Sequence, residues 1–248
     1  MNQKLILING DSYTAKDDVL TSLSYSDTVC DYFLEYDVKN IALSGSSNSR
    51  IFKSSIEHLL RYKRQYKEII FVVGYSFIHS RLEVASQHDK FNNQERKYYN
   101  NDYGFKLNWN KDINKYEDEM YPKFTTSSFI DGMNEKLFRI PELLDPNLLL
   151  SNFYNELYMF VSTLENLNIK YFVFSAANNT LMPGEKTDFL NRLEVKKYLD
   201  NNTNVILDSS MKLFGEEFDM DLTDTNHIQY KHDFEKFGNY IIEKIKKL

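Results

Sequence analysis

Cysteine is nearly absent: the 248-residue chain holds one, Cys30. A lone cysteine excludes an internal disulfide framework and a Cys-rich zinc site. Proline and glycine are also scarce, with 4 and 8 residues. No Pro-, Gly- or Ser-rich linker divides the chain, and no glycine-rich loop of the kind that cradles phosphate occurs. There is no His-Glu-x-x-His zinc motif. Long apolar runs are missing too, and none reaches the ~20 residues of a membrane helix. A positive balance is lacking: 30 Lys+Arg face 36 Asp+Glu, a net charge of −6. That argues against a protein built to grip phosphate backbones.

What remains is the composition of a soluble globular protein, 42% hydrophobic and 27% charged. Its length suits one domain, or one domain with a large insertion. The N-terminal apolar run, Lys4–Asn9, is too short for a signal peptide and ends at once in Gly10-Asp11-Ser12. The expected location is therefore cytoplasmic, with no membrane and no nucleic-acid partner. Aromatics are the surplus: 18 Tyr, 18 Phe and one Trp.

Short, β-rich runs recur at Lys4–Asn9, Asn40–Leu43, Glu68–Val73, Lys170–Phe174 and Asn204–Leu207. Runs apolar on both faces suit central strands of a parallel sheet covered on both sides. Amphipathic segments lie between them: Asp27–Glu35, Ser49–Tyr66, Leu148–Leu167 and Phe234–Ile245. The alternation predicts a three-layer α/β/α sandwich with a five-stranded parallel sheet. From about 84 to 142 the pattern breaks. This stretch is rich in Asn, Lys, Asp and Tyr and reads as an insertion after the third strand. Phe71, Phe153, Phe160, Phe172 and Phe174 belong to core faces. Tyr98, Tyr99, Tyr103, Phe105, Trp109 and Tyr116 fall in the insertion and are candidates for substrate or partner binding.

In parallel α/β sheets ligands gather at the carboxyl ends of the strands. There the chain has Gly10-Asp11-Ser12, then Ser44-Gly45-Ser46-Ser47-Asn48, then Gly74-Tyr75-Ser76, and near its end Asp224-Thr225-Asn226-His227. A serine hydroxyl needs a general base to attack at neutral pH, and histidine is the natural one. A carboxylate orients the imidazole and stabilises its cation. Backbone N–H groups at Ser12 and Gly45 suit the developing oxyanion. Gly-Asp-Ser alone also fits a plain helix cap, and Asp-Thr-Asn a plain turn.

Together these blocks resemble the SGNH (GDSL) hydrolase superfamily, in order and spacing from Leu5 to Tyr240. The resemblance implies a flavodoxin-like sheet and ester hydrolysis without a cofactor or metal. It implies Ser12 as nucleophile, Asp224 as triad acid, His227 as base and Gly45 as an oxyanion N–H. One block departs: the family's Gly-x-Asn-Asp after strand three is Gly74-Tyr75-Ser76-Phe77 here. Ser76 stands in the slot of the Asn, which is the third oxyanion donor, and Asn48 is a candidate substitute amide. These blocks, with Arg81-x-Glu83, look more like a divergent branch met in bacteriophage genomes, a resemblance that adds a virion-associated location to the expectation.

The expected substrate is a short acyl ester, an O-acetylated glycan more than a long-chain lipid, because the insertion is polar and aromatic. Tyr75, Arg81 and Trp109 are candidate substrate contacts. The rival expectation is a weak or inactive binding or structural protein on the same scaffold, such as a virion or accessory component. Arg50, His79 and Asp208 could also approach the rim. His58, His88 and His232 are given no role.

Overall fold

The computed structural model describes residues 4–16, 23–44, 46–78, 81–85, 105–106, 124–128, 146–177, 191–223 and 226–248. Five parallel strands form the main sheet: β1 (Lys4–Gly10), β2 (Asp37–Asn40), β3 (Glu68–Tyr75), β7 (Lys170–Ser175) and β8 (Val205–Ile206). Their spatial order is β2-β1-β3-β7-β8. The helices are α1 (Tyr25–Tyr32), α2 (Asn48–Tyr62), α3 (Pro146–Asn166), α4 (Glu194–Asp200), α5 (Met211–Phe218) and α6 (Lys231–Ile245). The order runs outward in both directions from β1 and β3, as in flavodoxin-like sheets. It leaves a switch point between those two strands, at whose carboxyl ends such sheets place their ligand crevice.

Strand alternation sorts the core into two layers. Leu5, Leu7, Phe71, Val73, Tyr171 and Val173 face α2, α3 and α4. Ile6, Ile8, Ile70, Val72, Phe172 and Phe174 face α1, α5 and α6. Both faces are buried, which is why these strands read as unbroken apolar runs. Each fully buried Leu, Ile or Phe side chain contributes about 1.5–3 kcal/mol through the area it removes from water. The five phenylalanines assigned to core faces are all buried.

Three of the helices begin where short polar side chains cap them. Ser24 and Asp27 form a reciprocal capping box on α1, and Ser47 and Ser210 cap α2 and α5. The second strand lies earlier than its apolar run. Asp37–Asn40 makes the ladder with β1, while Ile41–Leu43 follows on with single bonds, Ile41 N–H to Ile8 O at 2.8 Å and Leu43 N–H to Gly10 O at 3.3 Å. An edge strand is half-exposed, so polar side chains are tolerated in it. The buried Ile41, Ala42 and Leu43 mark its exit toward the crevice.

Within the insertion, β4 (Arg81–Ala85), β5 (Phe105–Lys106) and β6 (Phe124–Ser128) form a separate antiparallel sheet of order β4-β6-β5. Tyr98, Tyr99, Tyr103, Trp109 and Tyr116 lie outside the described residues. Among the described residues no helix is long and apolar enough to cross a membrane.

His58 on α2 carries a stability prediction. It is buried, its Nδ1 has no hydrogen-bond partner, and its ring stacks on Tyr62. Burial first, then the charges of Arg61 and Lys39, push its pKa down to about 4. The unfolded chain takes up this proton near pH 6.5. The group's contribution is thus intact above about pH 6.5 and is lost as the pH falls toward 4, by about 3 kcal/mol in all. Urea midpoints between pH 4 and 7 are expected to fall steeply for the wild type and less steeply for His58→Leu. Parallel slopes would show that His58 does not control the acid limb.

Candidate active site

The crevice is built first from β1. Asn9, the last inward polar residue of the strand, anchors it: Nδ2 lies 3.0 Å from Ile51 O, 3.0 Å from Ser54 Oγ and 2.8 Å from Ser55 Oγ, all on α2. The chain then turns sharply. Asp11 O accepts the N–H groups of Thr14 and Ala15 at 2.9 and 2.8 Å, and Asp11 Oδ1 accepts that of Tyr13 at 3.1 Å. This Asx-type turn presents Ser12 at the strand end. Asn40 closes it from β2, donating to Thr14 O at 2.7 Å.

Two glycines make room for the turn. Gly10 and Gly74 are register partners on β1 and β3. A Cβ on Gly10 would lie 2.5 Å from Thr14 Oγ1 and 2.8 Å from Gly74 O; one on Gly74 would lie 2.9 Å from Phe174 Cζ. Thr14 therefore seats in a notch that only this glycine pair leaves open. Space, not a left-handed backbone, is what these positions require.

The second half comes from the other end of the chain. Leu222 and Ile228 pair antiparallel and close a loop. Within it Thr223 N–H donates to His227 O at 2.8 Å, and His227 N–H donates to Thr223 Oγ1 at 3.0 Å. Asn226 takes the left-handed conformation, φ 61°, that asparagine tolerates. The loop delivers His227 Nε2 to 2.8 Å from Ser12 Oγ. A further hydrogen bond to the serine backbone is absent: Ser12 N–H takes no partner among the described residues. The His227 ring stacks on Tyr13, centroids 4.4 Å apart and planes 13° from parallel. A serine hydroxyl held at this distance from an imidazole nitrogen is placed for proton transfer.

Behind the turn the expected donors are engaged elsewhere. Asn48 Oδ1 accepts Ser76 N–H at 2.7 Å, while its Nδ2 donates to Ser76 O at 3.1 Å and Phe77 O at 3.2 Å. Ser76 Oγ donates to Asp11 Oδ2, and Ser76 and Asp11 are both fully buried. The reading of Asn48 and Ser76 as oxyanion donors is therefore corrected. Both amide hydrogens of Asn48 go to carbonyls, and the one hydroxyl proton of Ser76 goes to a carboxylate. Their role is to fasten the exit of β3 to α2 and to the Asp11 turn. Asn48→Ala would leave one N–H and two carbonyls without these partners. It is expected to cost about 1–3 kcal/mol, read from a denaturant midpoint.

Tyr75 is corrected as well. It is 1% exposed, donates its OH to Leu207 O at 3.0 Å, and packs on Phe153. Burial pushes its phenol above the ordinary range. It is a core residue and cannot meet a substrate. Arg81 lies on β4 opposite Ser128, and Arg50 is buried at the start of α2. Gly45, His79, His88, Trp109 and Asp224 lie outside the described residues.

Asp11 and Tyr13 are site residues that motif reading passed over. Asp11 counted as a possible cap, and Tyr13 carried no signal beyond its position next to Ser12.

Among the described residues, Asp221, His232 and Asp233 come close enough to hold a cation, their ligand atoms within 4.8 Å of one another. Lys236 Nζ already lies 3.2 Å from Asp233 Oδ1, and Asp221 N–H donates to Asp233 Oδ2 at 3.2 Å. Asp233 is thus faced by Lys236 and His232, and its bond to Asp221 ties α6 to the base of the His227 loop.

No family model matches the chain, and no curated protein matches it. Its fold is similar to several solved structures. TesA is 10% identical, with a TM-score of 0.47 and 98% of each chain covered. The psychrotrophic esterase EstA from Pseudoalteromonas sp. is 11% identical at 0.49, covering 98% of this chain and 97% of its own. A catalytic mutant of Axe2, an acetylxylan esterase from Geobacillus stearothermophilus, is 13% identical at 0.47, covering 98% and 94%. At these identities and scores none of them informs the chemistry of this chain.

Proposed function

We propose that the chain is a serine ester hydrolase of the SGNH type. The observation that carries this reading is the 2.8 Å contact between Ser12 Oγ and His227 Nε2 at the switch point of a parallel sheet. His227 takes the Ser12 proton as Oγ attacks the acyl carbon. It then gives the proton to the departing alkoxide, which leaves as the alcohol. Water, deprotonated by the same imidazole, attacks the acyl-enzyme and releases the acid and free Ser12. Asp224, three residues before His227, is assigned to orient the imidazole. Ser12 N–H and Gly45 N–H are assigned to the oxyanion.

The substrate class is a short acyl ester, an O-acetylated glycan before a long-chain lipid. The polar and aromatic composition of the insertion supports that choice. A fluorophosphonate probe is expected to label Ser12 and no other serine, and p-nitrophenyl acetate to be turned over. An unlabelled wild type that also leaves the acetate intact would overturn the assignment.

One observation favours a second reading, a binding or structural protein on the same scaffold. With Ser76 and Asn48 both engaged, a side-chain oxyanion donor is missing at the family's third position. Loss of one such donor costs roughly 10²–10³ in rate in other hydrolases. The resemblance to the branch met in bacteriophage genomes fits a virion or accessory component. The contact between Ser12 and His227 weighs the balance toward catalysis, at a reduced rate.

A further inference from the structure

Three chain segments meet in one aromatic column beside the nucleophile. Phe77, just past β3, lies 6.3 Å from Tyr13 with ring planes at 54°. Tyr13 in turn lies 4.4 Å from His227, nearly parallel to it. Tyr13 is 7% exposed, so its ring is fixed by packing before any ligand arrives. The His227 loop holds its own backbone through Thr223, but a backbone bond does not set the rotation of the ring. An imidazole turned about its side-chain bonds would swing Nε2 away from Ser12.

We propose that Tyr13 is a positioning residue for His227. Its flat face holds the imidazole in the plane that points Nε2 at Ser12 Oγ. Tyr13 follows Ser12 directly, so one peptide unit sets both the nucleophile and the plate on which the base rests. The stack covers one face of the base and leaves its in-plane Nε2 edge free to exchange a proton with Ser12. The inference rests on the hydrolase reading above and adds to it a residue that touches no substrate.

The test compares the wild type with Tyr13→Phe and Tyr13→Leu. In the wild type, NMR is expected to show contacts between the Tyr13 and His227 ring protons and an upfield shift of the His227 signals. Tyr13→Phe should keep both the shift and the rate of fluorophosphonate labelling. Tyr13→Leu should lose the shift and react at least about tenfold more slowly, as expected for a misdirected catalytic group. If Tyr13→Leu does not fold, the ring contacts in the native protein decide, and their absence overturns the proposal. Wild-type labelling with an indifferent Tyr13→Leu overturns this inference alone. A wild type inert to the probe overturns the hydrolase reading, and the positioning role with it.

Discussion

Ser12→Ala is expected to lower kcat/KM toward p-nitrophenyl acetate by roughly 10³–10⁵ and to abolish fluorophosphonate labelling. The range lies below the losses seen in the strongest serine hydrolases for a structural reason. On the proposed reading the oxyanion relies on backbone donors, because Asn48 and Ser76 are spent on the loop that follows β3. A slower wild type leaves less to lose. His227→Ala should fall by a comparable factor, and the double variant should be no slower than Ser12→Ala, since the two groups act as a unit. Multiplicative losses, or a Ser12→Ala enzyme that keeps its rate, would rule out the proposed dyad. The fold should survive both substitutions. Neither side chain belongs to the apolar layers, so melting temperatures are expected to stay close to that of the wild type.

Gly10→Ala is the second large effect, and it strikes the fold and the site together. The added methyl would lie 2.5 Å from Thr14 Oγ1, 2.8 Å from Thr14 Cβ and 2.8 Å from Gly74 O. The last is backbone in the adjacent strand and cannot rotate away. Overpacking of this kind costs about 1–3 kcal/mol. The strain falls on Thr14, whose turn carries Ser12. A displacement of about 1 Å at the nucleophile can cost about 10² in rate. Gly10→Ala is therefore expected to lower both the denaturation midpoint and the labelling rate at Ser12. Adding Thr14→Gly should restore part of the stability and not all, because the clash with Gly74 O persists. A Gly10→Ala protein as stable and as fast as the wild type would show that the notch is not what seats the turn.

The sequence made the layers legible because β1, β3 and β7 are buried on both faces and so are written as apolar runs. Edge strand β2 is half-exposed. Its ladder residues Asp37 and Lys39 are polar, and periodicity pointed instead to the buried exit at Ile41–Leu43. The same period of two placed Phe71, Val73 and Tyr75 on one face. Applied consistently, it would have put Tyr75 in the core rather than at the substrate.

The pairing of Ser12 with His227 was legible because both follow the carboxyl rim of the sheet, where the structure brings them to 2.8 Å. The roles of Ser76 and Asn48 were misread for a different reason. A slot in a motif fixes position along the chain, but which partner a hydroxyl or amide chooses depends on which polar groups the fold leaves unsatisfied nearby. Here they chose the buried Asp11 carboxylate and the carbonyls of Ser76 and Phe77. The stack of Tyr13 on His227 joins segments with no shared pattern, so no local signal announced it.

The hydrogen bond between Ser12 and His227 closes over 215 positions of sequence. The entropy of bringing such distant segments together must be met before the contact forms. Helices and the β1–β3 pair can assemble much earlier, from nearer neighbours. On the proposed reading, chemical competence requires this long-range closure and cannot precede it. During refolding, the appearance of a probe-reactive Ser12 would therefore timestamp the docking of the loop that carries His227.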